Sequence, residues 1–206
     1  MTYNKKYTFS FTGASALITE TLVIAEAYKK TGNWQLTQQA LFTSNALNKI
    51  KQTTFNREFS EIKKRLMQLT PPQLDVLIEG SLDDVKAIIL LSLVKTYPFF
   101  RDFIVEVLRN KYLLFDTSVT ESDYNLFFNA KCLAHPELND ITDITAKKVK
   151  QVVFKLLVQV GLITEIKNGM LLKPLLSAEV LSVITAQDAP YLAAFLYSNY
   201  EISNKT

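Results

Sequence analysis

Lys147, Gln151 and Lys155 recur at intervals of four residues, with Lys148 and Lys150 beside them. On a helix that spacing stacks the three side chains on one face. Ammonium groups neutralise phosphate, and a glutamine amide can pair bidentately with the N6/N7 edge of adenine. No arginine stands among them, so the commonest bidentate contact to guanine is missing. The chemistry on offer is phosphate-dominated and only weakly selective for base sequence. A second set is Thr53, Thr54, Asn56 and Arg57, followed by Lys63, Lys64 and Arg65. Short polar groups at a helix start, with cations further along, suit a recognition helix whose first residues meet base edges while nearby cations hold phosphates. A third set, Lys167, Asn168 and Lys173, surrounds an Asn-Gly turn and completes the candidate nucleic-acid contacts.

Other chemistry is poorly served. His135 is the only histidine and stands beside Pro136; Cys132 is the only cysteine. A general base, a metal centre or an activated thiol needs partners at fixed spacing, and neither residue has them. The chain lacks a Walker loop, GxGxxG, GxSxG, HExxH and CxxC. It therefore reads as non-enzymatic, with no catalytic residue, metal or cofactor expected.

Charge is partitioned along the chain. Residues 1–70 carry ten Lys/Arg against four Asp/Glu, residues 71–143 six against twelve, and residues 144–206 seven against four. Both ends are basic around an acidic middle, so a polyanion would be met at the ends. A single cysteine fits a reducing compartment, and the start MTYNKKYTFSFTG has no apolar signal core; a cytoplasmic protein is expected. The most apolar run, residues 85–94, is too short for a membrane span and reads as a buried core helix.

The elements that would position these residues are mainly helical, since apolar residues recur at helical spacing and Gly and Pro are scarce. A first helix is expected over about residues 16–30, stopped by Gly32, and a second from an Asn33 cap to about residue 42. Phe55, Phe59, Ile62, Leu66 and Leu69 mark the buried stripe of the basic N-terminal helix, capped at Thr53 or Thr54 and ended by Pro71 and Pro72. Ser81 with Asp84, and Thr120 with Asp123, resemble capping boxes for helices to about residues 97 and 135. Val149, Val152, Val153, Leu156, Leu157 and Val160 form the core stripe opposite the lysines. The following segment reads as a β-hairpin turning on Asn168 and Gly169, setting Lys167 against Met170 and Ile166 against Leu171.

A basic helix feeding a short hairpin is the order of parts in a winged helix. The polar run 116–123 suggests a boundary between a helical N-terminal domain (1–115), with a helix-turn-helix-like part, and a winged-helix-like C-terminal domain (116–206). Two plainer readings stand beside this. A lysine-bearing face can be solvated surface, and some winged helices bind only protein.

The runs FTGASALITETLVIAEAY, TTFNREFSEIKKRLMQL, FFRDFIVEVLRNKY and KKVKQVVFKLLVQVGLI, in that order, resemble the BrxA family encoded in BREX bacteriophage-defence islands. The resemblance implies a cytoplasmic, non-enzymatic accessory protein with affinity for double-stranded DNA and contacts to other BREX proteins. The family is also likened to NusB-type RNA-binding factors, which leaves an RNA ligand or a protein-docking role as alternatives. Its members tend to place several arginines on the helix that here carries Asn56, Arg57, Lys63, Lys64 and Arg65. Lysine is a point charge, so its use here weakens bidentate recognition.

Overall fold

The computed structural model describes residues 6–205 and is mainly helical, with one small antiparallel sheet. A short 3-10 turn, Ser10–Gly13, leads to α1 (Ile18–Thr31). This helix ends where Gly32 adopts φ 61°, a left-handed conformation that glycine takes without a Cβ penalty. In α2 (Trp34–Thr43) the Asn33 side chain accepts hydrogen bonds from the amides of Gln35 and Leu36, as its capping position requires. Helix α3 (Gln52–Leu66) buries Phe55, Phe59, Ile62 and Leu66. It starts from Lys51, ahead of the expected caps, so Thr53 and Thr54 lie inside its first turn.

Capping boxes open the next two helices: Thr70 with Gln73 for α4 (Pro71–Glu79), and Ser81 with Asp84 for α5 (Leu82–Thr96). Helix α6 (Pro98–Phe103) continues through a π turn, Ile104–Leu108, into α7 (Arg109–Leu113). Strand β1 (Ser118–Val119) precedes α8 (Glu121–Ala134), which carries the expected Thr120–Asp123 box. Helix α9 (Asp143–Gln159) is capped by Thr142 and followed by β2 (Gly169–Met170). Helix α10 (Ala178–Asp188), a 3-10 segment Ala189–Phe195 and α11 (Asn199–Ser203) complete the described chain.

Helix α5 is the central post. Its residues from Val85 to Val94, Lys86 excepted, are buried, and α1, α3, α4, α6 and α10 pack around it. The apolar core continues across residue 116. Phe99 and Phe103 meet Phe127 with ring centroids 5.3 and 5.2 Å apart, and Phe103 also reaches Phe154 of α9. Burying a phenylalanine is worth about 1.5–3 kcal/mol, so this aromatic cluster joins α6, α8 and α9 firmly. The N-terminal segment is tied to the same region. The Tyr7 hydroxyl donates to Asp102 at 2.7 Å, its amide donates to Glu137 at 2.9 Å, and its ring stacks on His135.

The hairpin is corrected by the structure. Ile163, rather than Ile166, lies opposite Leu171. The Thr164 amide donates to the Met170 carbonyl at 3.0 Å and the Leu172 amide to Leu162 at 2.8 Å. Asn168 has φ 53° but Gly169 is not at positive φ, so the tight two-residue turn does not form. The observed register buries Leu162, Ile163 and Leu171 and leaves Ile166 exposed; a slipped register would place the wrong alternate residues on the core face. Glycine is still required at 169, because a Cβ there would fall 2.2 Å from the Glu165 carbonyl oxygen. On its other edge β2 pairs with β1, Ser118 opposite Met170 and Val119 opposite Gly169.

Candidate nucleic-acid interface

The buried stripe of α9 is as the periodicity requires: Val149, Val152, Val153, Leu156 and Leu157 face the core. Lys147, Lys148, Gln151 and Lys155 are exposed on the other side. Lys148 Nζ lies 3.2 Å from the Gln151 side-chain oxygen, which leaves the glutamine NH2 pointing its donors elsewhere. Lys150 is half-buried, and its Nζ sits 2.7 Å from Glu121 of α8.

On α3, Thr53, Asn56 and Arg57 are exposed and Thr54 half-buried. Asn56 accepts a hydrogen bond from Gln38 of α2 at 3.1 Å. Lys63 lies over the Trp34 ring, and Lys64 is held by Glu61 at 2.8 Å and by Ser10. Arg65 departs from the expectation. It is 1% exposed, donating to Tyr97 Oη at 2.8 Å and to the carbonyls of Ala14 and Ser15 at 2.9 and 2.8 Å. A guanidinium so enclosed is part of the core and cannot reach a nucleic acid.

Residues 10–15 form a strap between the two basic helices. Ser10 bonds to Glu61 and Lys64 of α3, and Gly13 lies against Arg57, whose Cδ is 3.4 Å from where a glycine Cβ would be. At the end of the strap the Ala16 amide donates to Gln159 of α9 at 3.0 Å. A groove of about 280 Å³ runs beside it, lined by Thr12, Ser15, Glu58, Lys148, Gln151 and Lys155. The one carboxylate there, Glu58, is matched by Lys49 Nζ at 2.9 Å, so the cations of α9 are not offset by it. Residues 11–15 open the first of the runs that carry the family resemblance, but the strap has no charge and no spacing that would mark it as part of a site.

In the loop after α9, Lys167 and Asn168 are exposed. Lys173 is engaged within the protein: its Nζ lies 2.6 Å from Glu201 and 4.2 Å from the Tyr197 ring centroid. The Lys173 hydrogen bond, joined by the Ser198 amide, outweighs partial burial and pulls the Glu201 carboxyl down to about 2. His135 stacks on Tyr7 with its Nδ1 3.1 Å from Glu137, and the modest burial of Cys132 pushes its thiol up. Among the described residues no group of three or more His, Cys, Asp or Glu could hold a metal, and no helix is long and apolar enough to cross a membrane.

These features define a mainly helical protein built on a central buried helix, with a small antiparallel sheet and two basic helices meeting across one strap. Residues 5–188 match the BrxA family, and the chain belongs to that family, which is part of BREX phage-defence systems. A BREX protein BrxA from Bacillus cereus (strain H3081.97) is 33% identical over 108 residues, covering 52% of this chain and 54% of that protein. One from Paramagnetospirillum magneticum is 22% identical over 91% of this chain and 94% of its own length. One from Escherichia coli O9:H4 (strain HS) is 25% identical over 72% of this chain and 70% of its own. The fold is shared with a solved structure, an uncharacterized protein from Magnetospirillum magneticum, at TM-score 0.77 and 21% identity, covering 93% of this chain and 98% of that one.

Proposed function

We propose that this protein is a non-enzymatic, cytoplasmic accessory factor of a BREX system that binds double-stranded DNA, largely through its phosphates. The observation that carries the reading is the meeting of α3 and α9 at the strap. Arg57 from one helix and Lys148, Gln151 and Lys155 from the other border the same segment, and these cations have no ion-pair partner among the described residues. Basic side chains gathered from both ends of the chain give a continuous footprint for a polyanion. The order β1, α8, α9, then the bridge at Ile163 and β2 supports a winged-helix-like C-terminal part (116–206), with α9 as its reading helix and Lys167 and Asn168 at the wing. Helices α2 and α3 stand in the order of a helix-turn-helix-like part within residues 1–115, with the longer connector 44–51 in place of a tight turn. Exposed lysines and a single exposed arginine on these faces favour sequence-tolerant binding. Other BREX proteins are the natural protein partners.

A gel-shift salt titration tests the reading. The wild-type protein should bind duplexes of unrelated sequence with affinities that fall steeply with salt, while Lys147→Glu combined with Lys148→Glu weakens all of them alike. Undiminished affinity in that double variant removes the site assignment. Preference for hairpin or single-stranded RNA over duplex DNA would replace the reading by an RNA-binding role.

A further inference from the structure

A second groove, about 290 Å³, lies between α8 and α9 on the other side of the lysine face. It is lined by Tyr124, Asn125, Phe128 and Asn129 of α8 and by Lys147 and Lys150 of α9. The spacing explains the lining: positions 124, 125, 128 and 129 share one helix face, and so do 147 and 150. The composition is mixed in a particular way. The Tyr124 and Phe128 rings stack with centroids 6.0 Å apart, the two asparagines are exposed amides, and the two lysines are the cations. Tyr124 adds a further mark. It is 3% exposed, yet its hydroxyl has no hydrogen-bond partner among the described residues. A buried hydroxyl without a partner is costly, and native proteins keep few of them.

We infer that the α8–α9 groove binds a single nucleoside phosphate, with the base against the Phe128 ring and the Asn125 and Asn129 amides and the phosphate against Lys147 and Lys150. Each part has a chemical reason. Aromatic faces stack any base, with little regard to its identity. An asparagine amide matches the paired donor and acceptor on a base edge. Ammonium groups meet the phosphate as point charges. The volume falls just below the usual range of ligand pockets, roughly 300–1,000 Å³, which leaves room for at most one nucleotide and not a longer segment. Lys150 is shared with Glu121, 64% exposed, so an incoming phosphate competes with that carboxylate. The ligand is either a free mononucleotide or one unpaired nucleotide of a strand, and the chemistry is common to both.

Isothermal titration of the full chain with AMP, GMP, CMP and inorganic phosphate, and with a short single strand, tests this. The expected result is saturable binding of at least one mononucleotide that inorganic phosphate alone does not reproduce. Asn125→Ala with Asn129→Ala should weaken it tenfold or more, and Glu121→Gln should strengthen it. Lys148→Glu with Lys155→Glu should cut duplex binding and leave mononucleotide binding intact, which separates this site from the duplex reading. Binding of the single strand but of no mononucleotide assigns the groove to an unpaired nucleotide within a strand. No binding of either, equal binding by inorganic phosphate, or an unchanged affinity in the double asparagine variant overturns the inference.

Discussion

Arg65 Nε donates to Tyr97 Oη across 2.8 Å, and the same tyrosine hydroxyl donates in turn to Glu61. The chain Arg65–Tyr97–Glu61 joins a buried cation to a carboxylate through a phenol. Burial foremost pushes the Tyr97 hydroxyl well above its ordinary range; the Arg65 charge opposes this and the Glu61 charge adds to it, so the phenol stays neutral. Burial opposes ionisation of Glu61, but hydrogen bonds from Lys64 and Tyr97 outweigh it and hold that carboxyl below its usual value. Arg65→Ala leaves the Ala14 and Ser15 carbonyls and the Tyr97 oxygen without their donor. It should destabilise the fold by about 3–5 kcal/mol, as breaking buried ionic networks does. Urea unfolding checks this; a loss below about 1 kcal/mol would show that the network is not structural.

Lys148 and Lys155 are exposed and need no partner for folding. Lys148→Glu with Lys155→Glu should leave the melting temperature within a degree or two of wild type, since surface changes are usually worth within about 0.5 kcal/mol. Under the DNA-binding reading, the slope of log affinity against log salt should flatten by about two, roughly one for each phosphate that a lysine no longer neutralises. Calorimetric melting and gel shifts at several salt concentrations separate the two effects.

Glu201 has a folded-state value near 2 against an ordinary 4.5, the hydrogen bond from Lys173 being the largest cause. A lowered carboxyl stabilises the fold fully above its unfolded value and loses that contribution as pH falls through the folded one. Wild-type stability should therefore decline between about pH 4.5 and pH 2 through this group, and Glu201→Gln should flatten that part of the curve. Thermal melts of both proteins across that window make the comparison; parallel curves would remove Glu201 as a contributor.

Gly169→Ala forces a Cβ against the Glu165 carbonyl, which has no slack because residues 162–172 are paired on both sides of the loop. A loss of about 1–3 kcal/mol is expected, the usual scale for overpacking. Hydrogen exchange should show faster opening at the Thr164 and Leu172 amides before anything changes in α5. Protection as in wild type at those two amides would count against the close approach.

What can be read from residues alone divides along physical lines. Caps at Asn33, Ser81 and Thr120 are legible because a capping side chain acts on amides two or three residues away. The buried face of α9 is legible for the same reason, since periodicity is local. The hairpin register is not, because it is chosen by which apolar side chains fit the core, and that is decided by distant elements. Arg65 illustrates the limit most sharply. In the run Lys63, Lys64, Arg65 helical phase sets Lys64 opposite the apolar stripe and Lys63 and Arg65 on its two flanks; only distant partners, Tyr97 and the strap carbonyls, decide that Arg65 turns inward. The strap itself lacks any chemical signature, and Gly13 matters only because Arg57 lies over it.

The attachments of the N-terminal strap also set an order of assembly during synthesis. The Tyr7 amide awaits Glu137, 130 residues later, and the Ala16 amide awaits Gln159, 143 residues later. At ordinary elongation rates the first segment emerges on the order of ten seconds before those partners exist. Helices α1 to α5 can gather in that interval, with Ser10, Ala14 and Ser15 already held by α3, but the attachments to Glu137 and Gln159 form only once α8 and α9 have left the ribosome. The groove between α3 and α9 is therefore among the last surfaces to exist, and a nascent chain still held at the ribosome has not yet acquired it.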